Sequence, residues 1–346
     1  MENTREDFGV RQAEMTARWY ENVKRSHTDV DAYIQARHNA YLGRWKEAAR
    51  FIEDASRVLD IGGGNIYPAL VEFWKERGFR YSYLDIDPSC VDGSKWLAKS
   101  LGMADATFDH GYNDSLPFAD LAFDAIFSSH CLEHSFDLTR TLGEVNRVLD
   151  IHGNLLMAVP FGWEVNPEHP YFLGPTEWLS LLSDAGFRIR VAQIGCEYPE
   201  SGYDYFVAAQ KIAPAGAFRL DPGDYTKTKF DFVSPFDGRL SYNGESVLKE
   251  DHVIMNGDQW TIEFEVPSGT REVLPILNRH EWSGIIEVSW DDQSVQEDCY
   301  SFFSYAQPMR IKAVIENLSS VVRIKSQGKN ASSFASQGVL YGLMIR

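Results

Sequence analysis

A short apolar strand, Val58-Leu59-Asp60-Ile61, runs directly into three consecutive glycines, Gly62 to Gly64, and the chain then restarts as a helix. Glycine takes backbone angles that other residues avoid and lets a ligand approach the main chain closely. A strand, glycine turn and helix in that order form a cradle for a nucleotide-type ligand at the carboxyl end of a sheet. The residues that follow carry the same rhythm. Strands are predicted at Tyr81–Ile86, Phe123–Ser128, Leu155–Pro160, Phe187–Ile194 and Tyr205–Ala209, with helices at Tyr67–Arg77, Pro88–Leu101, Asp137–Leu149 and Thr176–Ala185 between them. Short apolar strands alternating with helices predict a parallel, doubly wound α/β sheet over residues 56–213, with both faces covered.

On either side the pattern changes. Residues 1–55 read as a helical cap in which Tyr33, Arg37, Tyr41 and Trp45 recur every four residues and so share one face. That face either packs on the domain behind it or closes over the ligand. Beyond Ile212-Ala213-Pro214-Ala215-Gly216 the helical period vanishes. Strands are expected at Lys229–Val233, Trp260–Val266, Glu272–Leu277, Ile285–Trp290, Tyr300–Tyr305, Arg310–Glu316, Val321–Lys325 and Val339–Ile345. Asn243-Gly244, Asn256-Gly257 and Ser268-Gly269 read as turns between them. Residues 214–346 therefore form an antiparallel, jelly-roll-like β-sandwich.

Composition narrows the partners. A net charge of −17 argues against nucleic acid and anionic membrane surfaces. Four scattered cysteines without a C-x-x-C pair, a polar N-terminus and no apolar run of spanning length predict a soluble chain in the reducing cytoplasm.

The glycine loop itself selects among cofactors. The dinucleotide spacing G-x-G-x-x-G fails because Tyr67 stands at the third glycine, and no G-K-[ST] follows for a triphosphate. Asp85, at the end of the next strand, is placed to accept the two ribose hydroxyls. A nucleoside without a pyrophosphate fits best, which points to S-adenosylmethionine (SAM).

Val58 to Ala213 resembles the class I, Rossmann-like SAM-dependent methyltransferases of the small-molecule type. The likeness is carried by V-L-D-I-G-G-G-N, by Y-L-D-I-D-P-S, by S-L-P-F-A-D-L-A-F-D-A-I-F-S-S-H-C-L-E-H and by E-V-N-R-V-L-D-I-H-G-N-L-L-M-A-V-P, in that order. The resemblance implies that Asp60 positions the loop and helps hold the methionine amino group. Gly62, Gly63 and Gly64 pass close to the cofactor, Asp85 takes the ribose and Ile86 lies against the adenine. The family's adenine-loop acid is replaced here by Tyr112, leaving Asn113, Asp114 and Asp109 as candidates. Ser129 and His130 fall beside the methionine portion.

Methyl transfer to a hydroxyl needs in-line alignment and removal of a proton. Histidine suits the second task at neutral pH. His134 and Glu133 lead as base candidates, followed by His169 and His130, although the L-E-H triplet can equally serve architecture. No cluster has metal-ligand spacing, so no metal is invoked.

The acceptor is expected to be a small molecule, with a sugar or glycan intermediate of surface-polysaccharide type as the leading reading. Alternation breaks at Phe302-Phe303, so one of that pair should face outward and offer an aromatic platform for a sugar face, and His280-Glu281-Trp282-Ser283-Gly284 is a second candidate surface. Two alternatives stand beside it: another small acceptor with the β-domain used for homo-oligomerisation, or a SAM-binding scaffold without catalysis.

Overall fold

The computed structural model describes residues 4–162, 169–195, 204–216, 225–309 and 321–346. They fall into two compact units, the second beginning at Tyr225 and also taking in Gly162.

The first unit opens with helices α1 (Arg5–Ser26) and α2 (Val30–Ala48). Thr4 caps α1 through a reciprocal box with Asp7, and Asp29 caps α2 by accepting from the Ala32 amide. Then come β1 (Arg57–Ile61), α3 (Pro68–Glu76), β2 (Arg80–Asp85), α4 (Pro88–Ser100), β3 (Thr107–His110), β4 (Phe123–Ser129) and α5 (Leu138–Val148). The unit closes with β5 (Leu149–Pro160), α6 (Pro175–Asp184), β6 (Phe187–Gly195) and β7 (Asp204–Lys211). Helices α3, α4 and α6 each start on a proline, whose missing N–H costs nothing in the first turn.

The seven strands lie in the order β3-β2-β1-β4-β5-β7-β6. The order reverses between β1 and β4, and the crevice outside the carboxyl ends at that point is where such sheets bind ligands. The sheet is doubly wound as expected but not wholly parallel, since β7 runs antiparallel to both β5 and β6. The physical reason is loop length. Only residues 196–203 join β6 to β7, too few for the crossover that a parallel neighbour requires. β3 was not foreseen; its four residues carry too little apolar pattern.

The second unit holds β8 (Asp231–Val233), β9 (Leu240–Leu248), β10 (Val253–Glu265), β11 (Val273–Arg279), β12 (Ile285–Trp290), β13 (Gln293–Asp298), β14 (Tyr305–Pro308), β15 (Val321–Ser326) and β16 (Gly338–Ile345). All of its strand ladders are antiparallel. β9 follows β10 along its length, while the other edge of β10 pairs first with β16 and then with β15. This split sends β16-β11-β14 one way and β15-β12-β13 the other. Val253, Met255, Trp260, Ile262, Phe264, Val288, Ile324 and Leu340 from both branches bury into one core, which makes the domain sandwich-like.

Two of the predicted turns are not turns. Gly244 lies inside β9, and glycine stands there because a Cβ would come within 2.9 Å of the Trp260 Cβ. Gly257, at φ +80°, lies within β10, where the pairing register with β9 breaks between Asn256 and Thr261. Ser268-Gly269 is a turn, as expected. The strand expected at Tyr300–Tyr305 begins only at Tyr305, and the one expected at Arg310–Glu316 lies outside the described residues. No helix among the described residues is long and apolar enough to cross a membrane.

Candidate functional site

The glycine loop is built by contact on two of its glycines and by openness at the third. Gly62, Gly63 and Gly64 have φ values of +64°, +87° and +78°, angles that favour glycine. A Cβ on Gly62 would lie 2.4 Å from the Cys131 Sγ, and one on Gly63 would lie 2.6 Å from the Ser129 carbonyl oxygen. The loop is therefore pressed against the end of β4. Gly64 is different, because a Cβ there would meet nothing within 4 Å. The Gly62 amide donates to the Leu84 carbonyl at 2.8 Å, tying the loop to β2.

Asp60 and Asp85 close the strands beneath the loop. Asp60 is buried and accepts from the Tyr81 hydroxyl at 2.9 Å. Burial pushes its carboxyl up to about 7, the Tyr81 hydrogen bond opposes that rise and the charge of Asp85 adds to it. Asp85 accepts from the Asp87 amide at 2.8 Å on one oxygen. Its other oxygen takes the Gly64 amide at 3.3 Å and lies 2.8 Å from the Tyr83 hydroxyl. Burial raises the Asp85 carboxyl too, against those hydrogen bonds.

Helix α1 covers this end of the sheet. A Cβ on Gly9 would lie 2.9 Å from the Tyr112 hydroxyl and 3.4 Å from Ile86 Cδ1, so the helix backbone rests on both. Arg5 forms an ion pair with the buried Asp114 and sits 4.3 Å above the Tyr112 ring. Phe8 meets Phe136 at 5.5 Å, and the Asn65 amide lies 3.5 Å from the Tyr20 hydroxyl farther along. The shared face of α2 does two jobs. Trp45 packs against Phe127 and Phe206, while Arg37 lies over the Trp19 and Tyr41 rings.

Asn113 is held within the protein: its amide nitrogen donates to Ser135 Oγ at 3.2 Å and its oxygen accepts from Thr141 Oγ1 at 3.2 Å. Asp109 lies on β3, beside Leu84 in register. Ser129 ends β4 beneath Gly63.

The remaining candidates form a polar chain. The Tyr41 hydroxyl donates to Asp204 at 2.5 Å, and the other Asp204 oxygen lies 3.4 Å from His130 Nε2. His130 Nδ1 is 3.7 Å from Glu133 Oε1, which is 3.9 Å from His134 Nε2. His134 Nε2 in turn lies 2.9 Å from His169 Nε2. Burial alone would lower the His130 pKa, but the hydrogen bond and charge of Asp204 and the charge of Glu133 outweigh it and raise it. His130 holds φ +49°, a strained setting that aims its ring at Asp204. The structure thus brings Glu133, His134 and His169 together, with His130 behind them. Asp204 was missed from sequence, and Tyr41 was read only as part of the shared face of the helical cap. Asp204 is 1% exposed, yet it follows a stretch without regular pattern, and only the antiparallel placement of β7 delivers it here.

Residues 59–157 match the family model described as a methyltransferase domain. The uncharacterized methyltransferase YcgJ of Bacillus subtilis (strain 168) is 31% identical over 114 residues, 33% of this chain and 43% of that protein. The sarcosine/dimethylglycine N-methyltransferase of Aphanothece halophytica is 28% identical over 152 residues, 42% of this chain and 53% of that protein. The chain spans between 40% and 59% of the length of the first curated relatives it matches. Among solved structures, a SAM-dependent methyltransferase from Aquifex aeolicus is similar with a TM-score of 0.41 and 21% identity, covering 48% of this chain and 88% of that one.

The cofactor of such a domain is S-adenosylmethionine, and the residues present fit it. Gly64 leaves open space where a ligand can meet backbone, the buried Asp85 carboxylate lies against the Gly64 amide, and the buried Asp60 suits a cationic group.

Proposed function

With residues 59–157 a class I SAM-dependent methyltransferase domain, we propose that the protein transfers a methyl group to a hydroxyl of a sugar or glycan intermediate of the surface-polysaccharide type. The observation that carries the methyl-transfer reading is the convergence at the carboxyl end of the central strands of an open glycine loop, two buried carboxylates and a histidine cluster. When bound, SAM supplies an electrophilic methyl on a sulfonium. Asp85 and the Gly64 backbone would hold the ribose end, Ile86 and Tyr112 would contact the base, and Asp60 would receive the methionine ammonium. Ser129 and His130 would face the methionine portion.

His134 takes the acceptor proton, with Glu133 placed to stabilise the imidazolium that results and His169 to pass the proton outward. His130 faces a carboxylate with each ring nitrogen, Asp204 and Glu133, so it orients Glu133 rather than acting as the base.

Support for a sugar acceptor comes from the second unit. Trp282 and Phe334 are 51% and 60% exposed with ring centroids 5.5 Å apart, and Phe302 is 70% exposed. Asn330 and Asp298, hydrogen-bonded at 2.6 Å, supply polar neighbours along the same loops. An aromatic platform with polar edges matches the two faces of a pyranose. The test is methyl transfer from labelled SAM across a panel of nucleotide sugars and oligosaccharides, set against amines and small phenols. Label on a sugar hydroxyl supports the proposal, and label only on amines or phenols contradicts it.

A further inference from the structure

The two imidazoles at the outer end of the polar chain pose a question of charge. His134 Nε2 and His169 Nε2 face each other at 2.9 Å with ring planes at 71°. Two nitrogen lone pairs at that separation repel unless something positive lies between them. Only a proton on one ring or a shared cation meets that need.

We propose that Glu133, His134 and His169 bind one divalent first-row transition ion, with Zn²⁺ the best match. The three ligand atoms all lie within 4.8 Å of one another. Two nitrogens each about 2.0–2.1 Å from one Zn²⁺ sit roughly 3.0–3.4 Å apart, a few tenths of an ångström beyond the observed spacing. Glu133 Oε1, at 3.9 Å from His134 Nε2, has to move closer to the pair to join them on one ion. Two imidazoles and a carboxylate favour Zn²⁺ over Mg²⁺ or Ca²⁺, which prefer all-oxygen shells. Three protein ligands leave a fourth position open.

The surroundings have the form of an outer ligand shell. His130 Nδ1 stands 3.7 Å from the Glu133 Oε1 carboxylate oxygen, and an Asp204 oxygen lies 3.4 Å from His130 Nε2 on its other side. Such partners orient metal-binding carboxylates. The ligands come from two separate stretches, a single turn at Leu132–His134 and His169, so the sequence spacing gave no sign of them. In the methyltransferase reading, an ion here would bind the acceptor hydroxyl and lower its pKa, replacing simple proton abstraction by His134. That role rests on the proposed function; the binding does not.

The experiment uses the full chain, stripped with chelator and dialysed. Zn²⁺ is titrated in competition with a chromophoric chelator, and Co²⁺ serves as a visible reporter. The expected result is one Zn²⁺ per chain, a Co²⁺ absorption band, and loss of both in His169→Ala while SAM affinity is unchanged. His169→Gln replaces the alanine variant if that variant no longer binds SAM. Equal stoichiometry and affinity in wild type and the His169 variant, or no Co²⁺ band in wild type, overturns the proposal and leaves the pair sharing a proton. A metal site without SAM binding would overturn the proposed function instead and leave the metal site standing.

Discussion

Adjacent glycines in the loop do different physical work, and alanine substitutions separate them. Gly63→Ala places a Cβ 2.6 Å from a backbone carbonyl at φ +87°, where neither group can yield cheaply. Left-handed strain alone costs about 1–2 kcal/mol and the overlap adds to it, so a total above about 3 kcal/mol is expected in urea unfolding. Gly64→Ala meets open space and should cost only about 1–2 kcal/mol, yet lower SAM affinity at least about tenfold because the new methyl group occupies the ligand's side of the loop. Asp60 gives a pH signature. Its folded pKa of about 7 lies above the usual carboxylate value, so its contribution to stability is full below pH 4 and is lost as pH rises towards 7. Asp60→Asn removes that slope, of order 1.4 kcal/mol per pH unit. Denaturant titrations at pH 5 and 7 should therefore show the variant gaining on wild type by roughly 2–3 kcal/mol. A cationic ligand beside Asp60 would favour its ionised form, so SAM binding near pH 6 should release protons to buffer.

Among the elements, α1 is the cover. Its first turn is held by Arg5 on Asp114 and Tyr112, and its backbone passes so close to Tyr112 that a Cβ at position 9 would lie 2.9 Å from the Tyr112 hydroxyl. Arg5→Ala should loosen that turn and raise the SAM dissociation rate several-fold with little change in global stability. Faster amide exchange confined to the first half of α1 would accompany it. An unchanged dissociation rate would mean that α1 is packing alone. How much of this was legible in sequence varies by element. β1, β2, β4 and β5 and the loop between β1 and α3 were legible because fully buried parallel strands read as apolar runs and the glycines must break them. β7 was found as a strand, but its direction was set by the short connection behind it, which periodicity does not report. Asn243-Gly244 misled because a glycine demanded by the approach of Trp260 looks the same as a glycine demanded by a turn. Asp60, Gly62 to Gly64 and Asp85 are local to strand ends and could be read. The Tyr41–Asp204–His130 contact and the His134–His169 pair join distant stretches, and no local signal predicts them.

At the scale of the molecule, the chain carries two separate cores. The α/β unit gathers its candidate site residues at the carboxyl ends of β1, β2 and β4, while the β unit buries Trp260 and Trp290 and leaves Trp282, Phe334 and Phe302 in solvent. If that surface holds sugar, Trp282→Ala in the full chain should abolish binding on an oligosaccharide array while leaving SAM affinity unchanged. An array that is blank for wild type would sink the sugar reading and favour the use of this surface between copies of the chain. The claim on which everything else depends is that the Asp60–Gly64 loop and Asp85 hold S-adenosylmethionine. Calorimetry of the full chain with SAM, S-adenosylhomocysteine and NAD tests it directly. The account predicts one site for each adenosyl ligand, a loss of at least about tenfold in Asp85→Ala and no heat with NAD. Binding of NAD, with no heat from either adenosyl ligand, would contradict it.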